Sequence, residues 1–233
     1  MRERFLGVDI GGRDNTWLAA IEWDGHQLSI PEAPKRQKLA EIVESATIDG
    51  TVAIAIDAQL SLSIAESDSD DGPGFRSSDR KLRERLTNAR RNWVASFNSL
   101  MAIPIRGRLL ADALKGASLG VVETHPRVCL HFALGEDMQS SIDHYKGSGK
   151  NKPSPEAKAR HAKRLLLAWS KKFGIAKMDV DGKISDGALD AIVCATVAYL
   201  WCHARQRLCL LDDPQPRDLG TEQFFVVRLA PEA

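Results

Sequence analysis

The chain lacks any cysteine pair at metal-binding or redox spacing. Its four cysteines, Cys129, Cys194, Cys202 and Cys209, form no CxxC. Three of them fall in or just after one apolar helical stretch, where cysteine behaves as a small hydrophobe. This argues against a zinc site or a disulfide framework and for a reducing, intracellular compartment. Long hydrophobic runs are also missing. The opening, MRERFLGVDIGG, has no apolar run of signal-peptide length. The longest apolar stretch, residues 188–202, is interrupted by Asp190 and Thr196, short of the roughly 18 to 20 apolar residues of a membrane helix. A cytoplasmic protein with no membrane partner is expected. Net charge is nearly absent, at +1, so only the placement of charges can point to a partner. No internal repeat is visible.

What is present suits a globular chain. Its 233 residues are 43% hydrophobic, enough for a substantial core. Residues 5–10 form a short apolar run ending in Asp-Ile-Gly-Gly, a buried strand closed by a turn. Residues 16–23 and 26–30, joined at Asp24-Gly25, read as a hairpin, so the chain opens as a three-stranded antiparallel meander. A helix is predicted over 38–46, where Leu39, Ile42 and Val43 share a face. TVAIAID, residues 51–57, is apolar on both faces and suits a central strand. Residues 66–74 (ESDSDDGPG) read as a mobile loop and 147–155 (GSGKNKPSP) as a polar one. Helices are predicted over 78–97, 109–117, 156–173 and 186–205, a strand over 120–123 and a last strand, suited to an edge, over 223–229. This order indicates one α/β domain spanning 1–233, with helices covering a mixed sheet.

Three carboxylates, Asp9, Asp57 and Glu123, sit at the C-terminal ends of predicted strands, where ligand sites of open α/β sheets lie. A fourth, Asp190, interrupts the apolar helix, with Asp186 one turn earlier on the same face. A carboxylate in such a helix is costly unless it is paired or binds a metal. Hard oxygen ligands from several segments suit Mg²⁺ or Mn²⁺, and two such ions would serve an in-line phosphoryl displacement. Each acid also has a bland reading: Asp9 and Asp57 as turn formers or caps, and Asp186 as a first-turn residue. Asp190 is the hardest to explain that way.

Two segments are basic. Residues 76–91 carry seven Arg or Lys against Asp79 and Glu84, and residues 146–172 carry nine against Glu156. Clustered cations are the usual footprint of a polyanion partner, here nucleic acid. Trp93 and Trp169 would stack on bases or, more often, pack in the core. Asp79, Arg80 and Arg83 form a compact group that suits a phosphate or a solvated helix face. His125 would contact a phosphate or fix the turn before Pro126.

Five segments, GVDIGGRDNTWLAA, AIDAQLSLS, RSSDRKLRERL, VVETHPRVCLHFALG and SDGALDAIVCATVAYLW, resemble in that order the blocks of the predicted-nuclease family catalogued as domain of unknown function 429, over residues 5–229. That resemblance implies a ribonuclease H-like fold. It also implies that Asp9, Asp57, Glu123 and Asp190 stand where related nucleases place metal ligands. AIDAQ followed by ALDAIVCA is similar to Holliday-junction resolvases, in which the second strand-end acid is typically Glu. Two departures stand out: Gln59 where the family usually has proline, and Arg127 where it often has an acid, which makes the rim near Glu123 more basic.

The expectation is a metal-dependent nuclease. Asp9 would bridge two Mg²⁺ or Mn²⁺ ions, and Asp57, Glu123 and Asp190 would complete their shells. Asp186 would be auxiliary, and Arg80, Arg83, His125 and Arg127 would face substrate. The reading from another class is a non-catalytic domain that binds nucleic acid or protein. The glycines of VDIGGRDNTW also resemble the first phosphate motif of sugar-kinase and actin-like ATPases, without a P-loop ending. A phosphotransferase ranks lower because such proteins need a second copy of the fold.

Overall fold

The structure, a computed structural model, describes residues 2–12, 14–63, 74–100, 102–147, 153–176, 184–211, 218–219 and 222–228. The elements run β1 (Glu3–Asp9), β2 (Trp17–Trp23), β3 (Leu28–Ser29), β4 (Lys35–Arg36), α1 (Leu39–Ala46), β5 (Thr51–Asp57) and β6 (Leu62–Ser63). There follow α2 (Ser77–Glu84), α3 (Phe97–Leu100), α4 (Ala102–Ala113), β7 (Gly120–Glu123), α5 (Pro126–Ala133) and α6 (Gln139–His144). The chain continues through α7 (Pro155–Phe173), α8 (Asp186–His203), β8 (Leu208–Leu210), β9 (Asp218–Leu219) and β10 (Phe225–Val227).

The main sheet has the order β3-β2-β1-β5-β7, with β4 also paired to β2. The predicted meander is there: β2 pairs antiparallel with both β1 and β3. β5 lies parallel to β1, and β7 parallel to β5, so the sheet is mixed. Side chains alternate between its two faces. Leu6 and Val8 of β1 and Ile54 and Ile56 of β5 pack with Ile42 of α1 and Leu110 of α4. Phe5 of β1, Ala53 and Ala55 of β5 and Val122 of β7 pack on the other face in the core that includes α5, α7 and α8. Helices therefore cover both faces, which is why β5 reads as an unbroken apolar run.

α8 is the central helix. Thirteen of its eighteen residues are buried, as expected of a helix apolar on all sides, and it packs across β1, β2 and β5. Its approach to β1 is unusually close. A Cβ at Gly7 would lie 2.0 Å from the Ala191 carbonyl oxygen and 2.1 Å from the Ala195 nitrogen, so only glycine fits. Local signals fix the helix ends: Ser185 accepts from the Ala188 amide at 3.1 Å, and Ser154 of α7 accepts from Ala157 at 3.2 Å. Gly174 closes α7 in the left-handed conformation, φ 66°.

Several predicted elements need correction. The helix expected over 78–97 is broken. α2 ends at Glu84, Thr87 is extended and a 3₁₀ turn runs from Asn88 to Trp93. Thr and Asn favour such local starts over helix interiors, and Arg83 Nη1 bonds to the carbonyls of Arg91 and Val94 across the break. The helix expected over 109–117 is α4, which begins at Ala102, with Pro104 tolerated in its first turn. The last strand pairs with β8 in a separate ribbon, although Phe224 bridges to Glu123 beyond β7. Most of the predicted loop over 66–74, and 148–152 of the loop over 147–155, lie outside the described residues.

Gly7→Ala should cost at least about 1–3 kcal/mol by overpacking against backbone that cannot yield. Urea unfolding of the pure variant measures it, and an unchanged midpoint would contradict the contact between β1 and α8.

Candidate metal centre

Strand register decides which acids meet. Asp9 and Asp57 are the last residues of β1 and β5 and stand opposite each other in the parallel pairing. Alternation puts both on the face covered by α8, in phase with Phe5, Gly7, Ala53 and Ala55. From α8 itself comes Asp190, 0% exposed. The three offer carboxylate oxygens that all lie within 4.8 Å of one another. Gly187 clears the way, since a Cβ there would sit 2.4 Å from the Trp17 ring and 2.8 Å from Asp9 Oδ2. Asp186 is exposed at the start of α8, and its Oδ1 accepts from the Gly187 amide at 3.0 Å. Its charge reaches Asp9.

Glu123, expected among these acids, is not one of them. β7 sets it opposite Ile56, not Asp57, and so on the other face of the sheet. There it is 2% exposed and committed to Arg76, itself 4% exposed. Oε1 accepts from Arg76 Nη2 at 2.5 Å, and Oε2 from Arg76 Nη1 and the Leu60 amide, both at 2.8 Å. Asp79 shares the same guanidinium through Nε at 3.0 Å and Nη2 at 2.8 Å. Gln59 donates to Asp79 at 2.9 Å, tying the chain after β5 to α2. Burial pushes the Glu123 carboxyl up against the opposing pull of Arg76.

A cation that the sequence reading did not single out stands in the aspartate cluster. Lys146 Nζ is 2.5 Å from Asp190 Oδ2 and 3.9 Å from Asp57 Oδ2. Beside it the buried Tyr145 hydroxyl donates to Asp190 Oδ1 at 2.9 Å. Asp190 Oδ2 is buried against that ammonium. Desolvation raises Asp190 to about 6 and outweighs the lowering by Lys146, while Asp57 adds to the rise. Asp9 is raised well above the carboxylate range, first by desolvation and then by Asp190, Asp57 and Asp186, with Lys146 opposing. Desolvation would lower Lys146, but Asp190, Tyr145, Asp57 and Asp9 together hold it well above its ordinary value. Lys146 opens the basic segment 146–172 and reads in sequence as surface charge. Its meeting with Asp190, 44 residues away, has no local signal.

The remaining candidates separate. A cavity of about 190 Å³ opens at the cluster, lined by Asp9, Asp57, Trp93, His125 and Lys146 and reaching Gln59, Asp79 and Glu123. His125 is the N-cap of α5. Its Nε2 meets the Trp93 carbonyl at 3.1 Å and must donate to it, and burial lowers its basicity. Arg80, Arg83 and Arg127 do not line the cavity. Arg80 bonds to the Phe75 carbonyl, and Arg83 lies 4.6 Å over the Phe75 ring. Arg127 bonds to the carbonyls of Ile142 and Asp143 and stacks 4.2 Å over Trp93, so it anchors the segment that delivers Tyr145 and Lys146. Trp169 is buried, with its indole N–H on Thr196 at 2.9 Å, a core residue and not a stacking platform.

Asp9, Asp57 and Asp190 offer oxygen ligands of the kind magnesium and manganese take. A model of the family described as Protein of unknown function (DUF429) matches residues 94–216, just over half of the chain. The chain belongs to that family. The matched span carries Glu123, Lys146, Asp186 and Asp190, whereas Asp9 and Asp57 precede it. No curated protein and no solved structure matches the chain. Among the described residues, no helix is long and apolar enough to cross a membrane.

Arg76→Met should cost about 3–5 kcal/mol, because two buried carboxylates lose their counter-charge. Chemical denaturation reads this directly, and a loss below about 1 kcal/mol, the size of a surface pair, would refute the buried network. A pH dependence follows from Asp190. A carboxyl raised to about 6 on folding contributes stability that is full below its unfolded value and is lost as pH rises through about 6. In chelator, wild type should lose stability relative to Asp190→Asn as pH rises from about 4 to about 6. A pH-independent difference between the two would count against the raised carboxyl.

Proposed function

We propose that this chain is a ribonuclease H-like, divalent-metal-dependent hydrolase of phosphodiester bonds in nucleic acid. One observation carries the reading: Asp9, Asp57 and Asp190 converge from two neighbouring strand ends and a buried helix, with carboxylate oxygens all within 4.8 Å of one another and Asp190 fully buried. Stacking three carboxylates in a low-dielectric site is expensive unless cations repay it. Mg²⁺ or Mn²⁺ held by these oxygens would supply Lewis acidity and a nucleophilic water. In the reaction the water oxygen bonds to phosphorus and the bond to the leaving ester oxygen breaks. A proton from the water passes through solvent to that leaving oxygen. Asp186, at the rim, would hold water in the outer shell.

The basic face of α7 supports a polyanionic substrate. Arg160, Lys163, Arg164 and Lys171 are exposed, and Lys163, Arg164 and Lys171 follow Arg160 by three, four and eleven residues, so the four share one side of the helix. Lys158 Nζ donates to the Gly147 carbonyl at 3.0 Å, which couples this helix to the residue after Lys146. The other basic segment contributes less surface, because Arg76 is buried and Arg90 pairs with Asp143 at 3.2 Å. A second reading, a domain that binds nucleic acid without cleaving it, draws on the same Lys146 ion pair, which balances part of the cluster without a metal.

Thermal unfolding with and without Mn²⁺ separates the two. At a hundredfold excess over Kd, Mn²⁺ should raise the wild-type Tm by about 5–10 °C. Asp9→Asn should lose both this shift and cleavage of labelled DNA or RNA while staying folded. An Asp9→Asn variant that cleaves normally would sink the assignment. Nucleic-acid affinity that persists in chelator, with no metal shift and no cleavage, would favour the binding domain.

A further inference from the structure

A two-ion centre sets its cations about 3.5–4 Å apart and shares carboxylates between them. It therefore needs more carboxylate oxygens than a one-ion centre does. Two independent observations limit that supply. Glu123, the fourth acid at these strand ends, has both oxygens on Arg76 and the Leu60 amide. Asp190 has one oxygen on the Tyr145 hydroxyl and the other against Lys146 Nζ. The ammonium also faces Asp57 at 3.9 Å, so a tethered cation already stands between two of the three aspartates.

This placement is built into the fold. Tyr145 is fully buried next to it, Arg127 holds the Ile142 and Asp143 carbonyls just before it, and Lys158 holds the Gly147 carbonyl just after it. A second divalent ion sharing Asp57 and Asp190 would meet the ammonium at contact distance, where like charges in a buried site repel strongly.

We propose that the centre takes a single divalent cation and that Lys146 acts as a catalytic residue, its ammonium supplying at the phosphate the charge a second ion would bring. This rests on the metal-dependent reading above. Lys146 keeps its proton throughout and neutralises negative charge that builds on the phosphate and leaving oxygens as the bond to the water oxygen forms and the ester bond breaks.

Calorimetric titration of the full, chelator-stripped chain with Mn²⁺ tests this without relying on activity. Wild type should bind one Mn²⁺ per chain. Lys146→Met should take up a second ion, or bind the first at least about tenfold more tightly, once the competing ammonium is gone. Its cleavage rate should fall by about a hundredfold or more. Two ions in wild type would overturn the single-ion centre while leaving metal dependence intact, and that measurement needs no variant. A Lys146→Met titration that superimposes on wild type would overturn it equally. No Mn²⁺ uptake by wild type would remove the metal-dependent reading and this inference together. Lys146→Arg, which keeps the charge, should keep the single ion.

Discussion

The missing side chain at Gly7 is the constraint on which the rest of the structure depends. It lets the backbone of α8 settle directly on β1, within the distance any Cβ would fill. With a larger residue the helix would ride outward, and Asp190 would leave the reach of Asp9 and Asp57. Gly187 repeats the device one turn before Asp190, beside Trp17 and Asp9. Two absent methyl groups thus set the depth at which a carboxylate is buried. The cost of burying it, several kcal/mol for an unpaired charge, is met by Lys146 and Tyr145 from the segment after α6.

The sheet divides the acids into two separately balanced groups. On one face Arg76 serves Glu123 and Asp79 with a full set of charge-assisted hydrogen bonds, a closed network that rigidifies the chain after β5. On the other, Asp57 and Asp190 face the Lys146 ammonium and Asp190 also accepts from Tyr145, and burial, with the neighbouring acids, raises the Asp9 and Asp190 carboxyls against the pull of Lys146. In the first group each carboxylate is bonded to the guanidinium. The second sets three carboxylates around one ammonium among the described residues.

How much of this was legible in the sequence follows from where each signal resides. The strands at 51–57 and 120–123 were readable to the residue because each is an apolar run ended by an acid. α1 was readable from its periodicity, and α7 was expected as a basic helix. Asp190 announced itself as a charge inside an apolar helix. The position of Glu123 was hidden because it depends on the register between β5 and β7, and a one-residue offset moves a side chain to the opposite face. Lys146 was hidden because a lysine beside a glycine looks like surface until the fold brings an acid to it. The break in the helix over 78–97 depended on Arg83 bonding across it to distant carbonyls.

The three aspartates come from the start, the first third and the last quarter of the chain. Their oxygens converge only when β1, β5 and α8 are docked together, because each of these elements supplies one of the three acids. Contacts of such sequence separation carry a large loop-closure entropy and slow folding. A partly folded or truncated chain would therefore hold the first two acids apart from the third, so completion of the fold acts as the gate on assembly of the site. Any chemistry carried out there is confined to molecules that have finished folding.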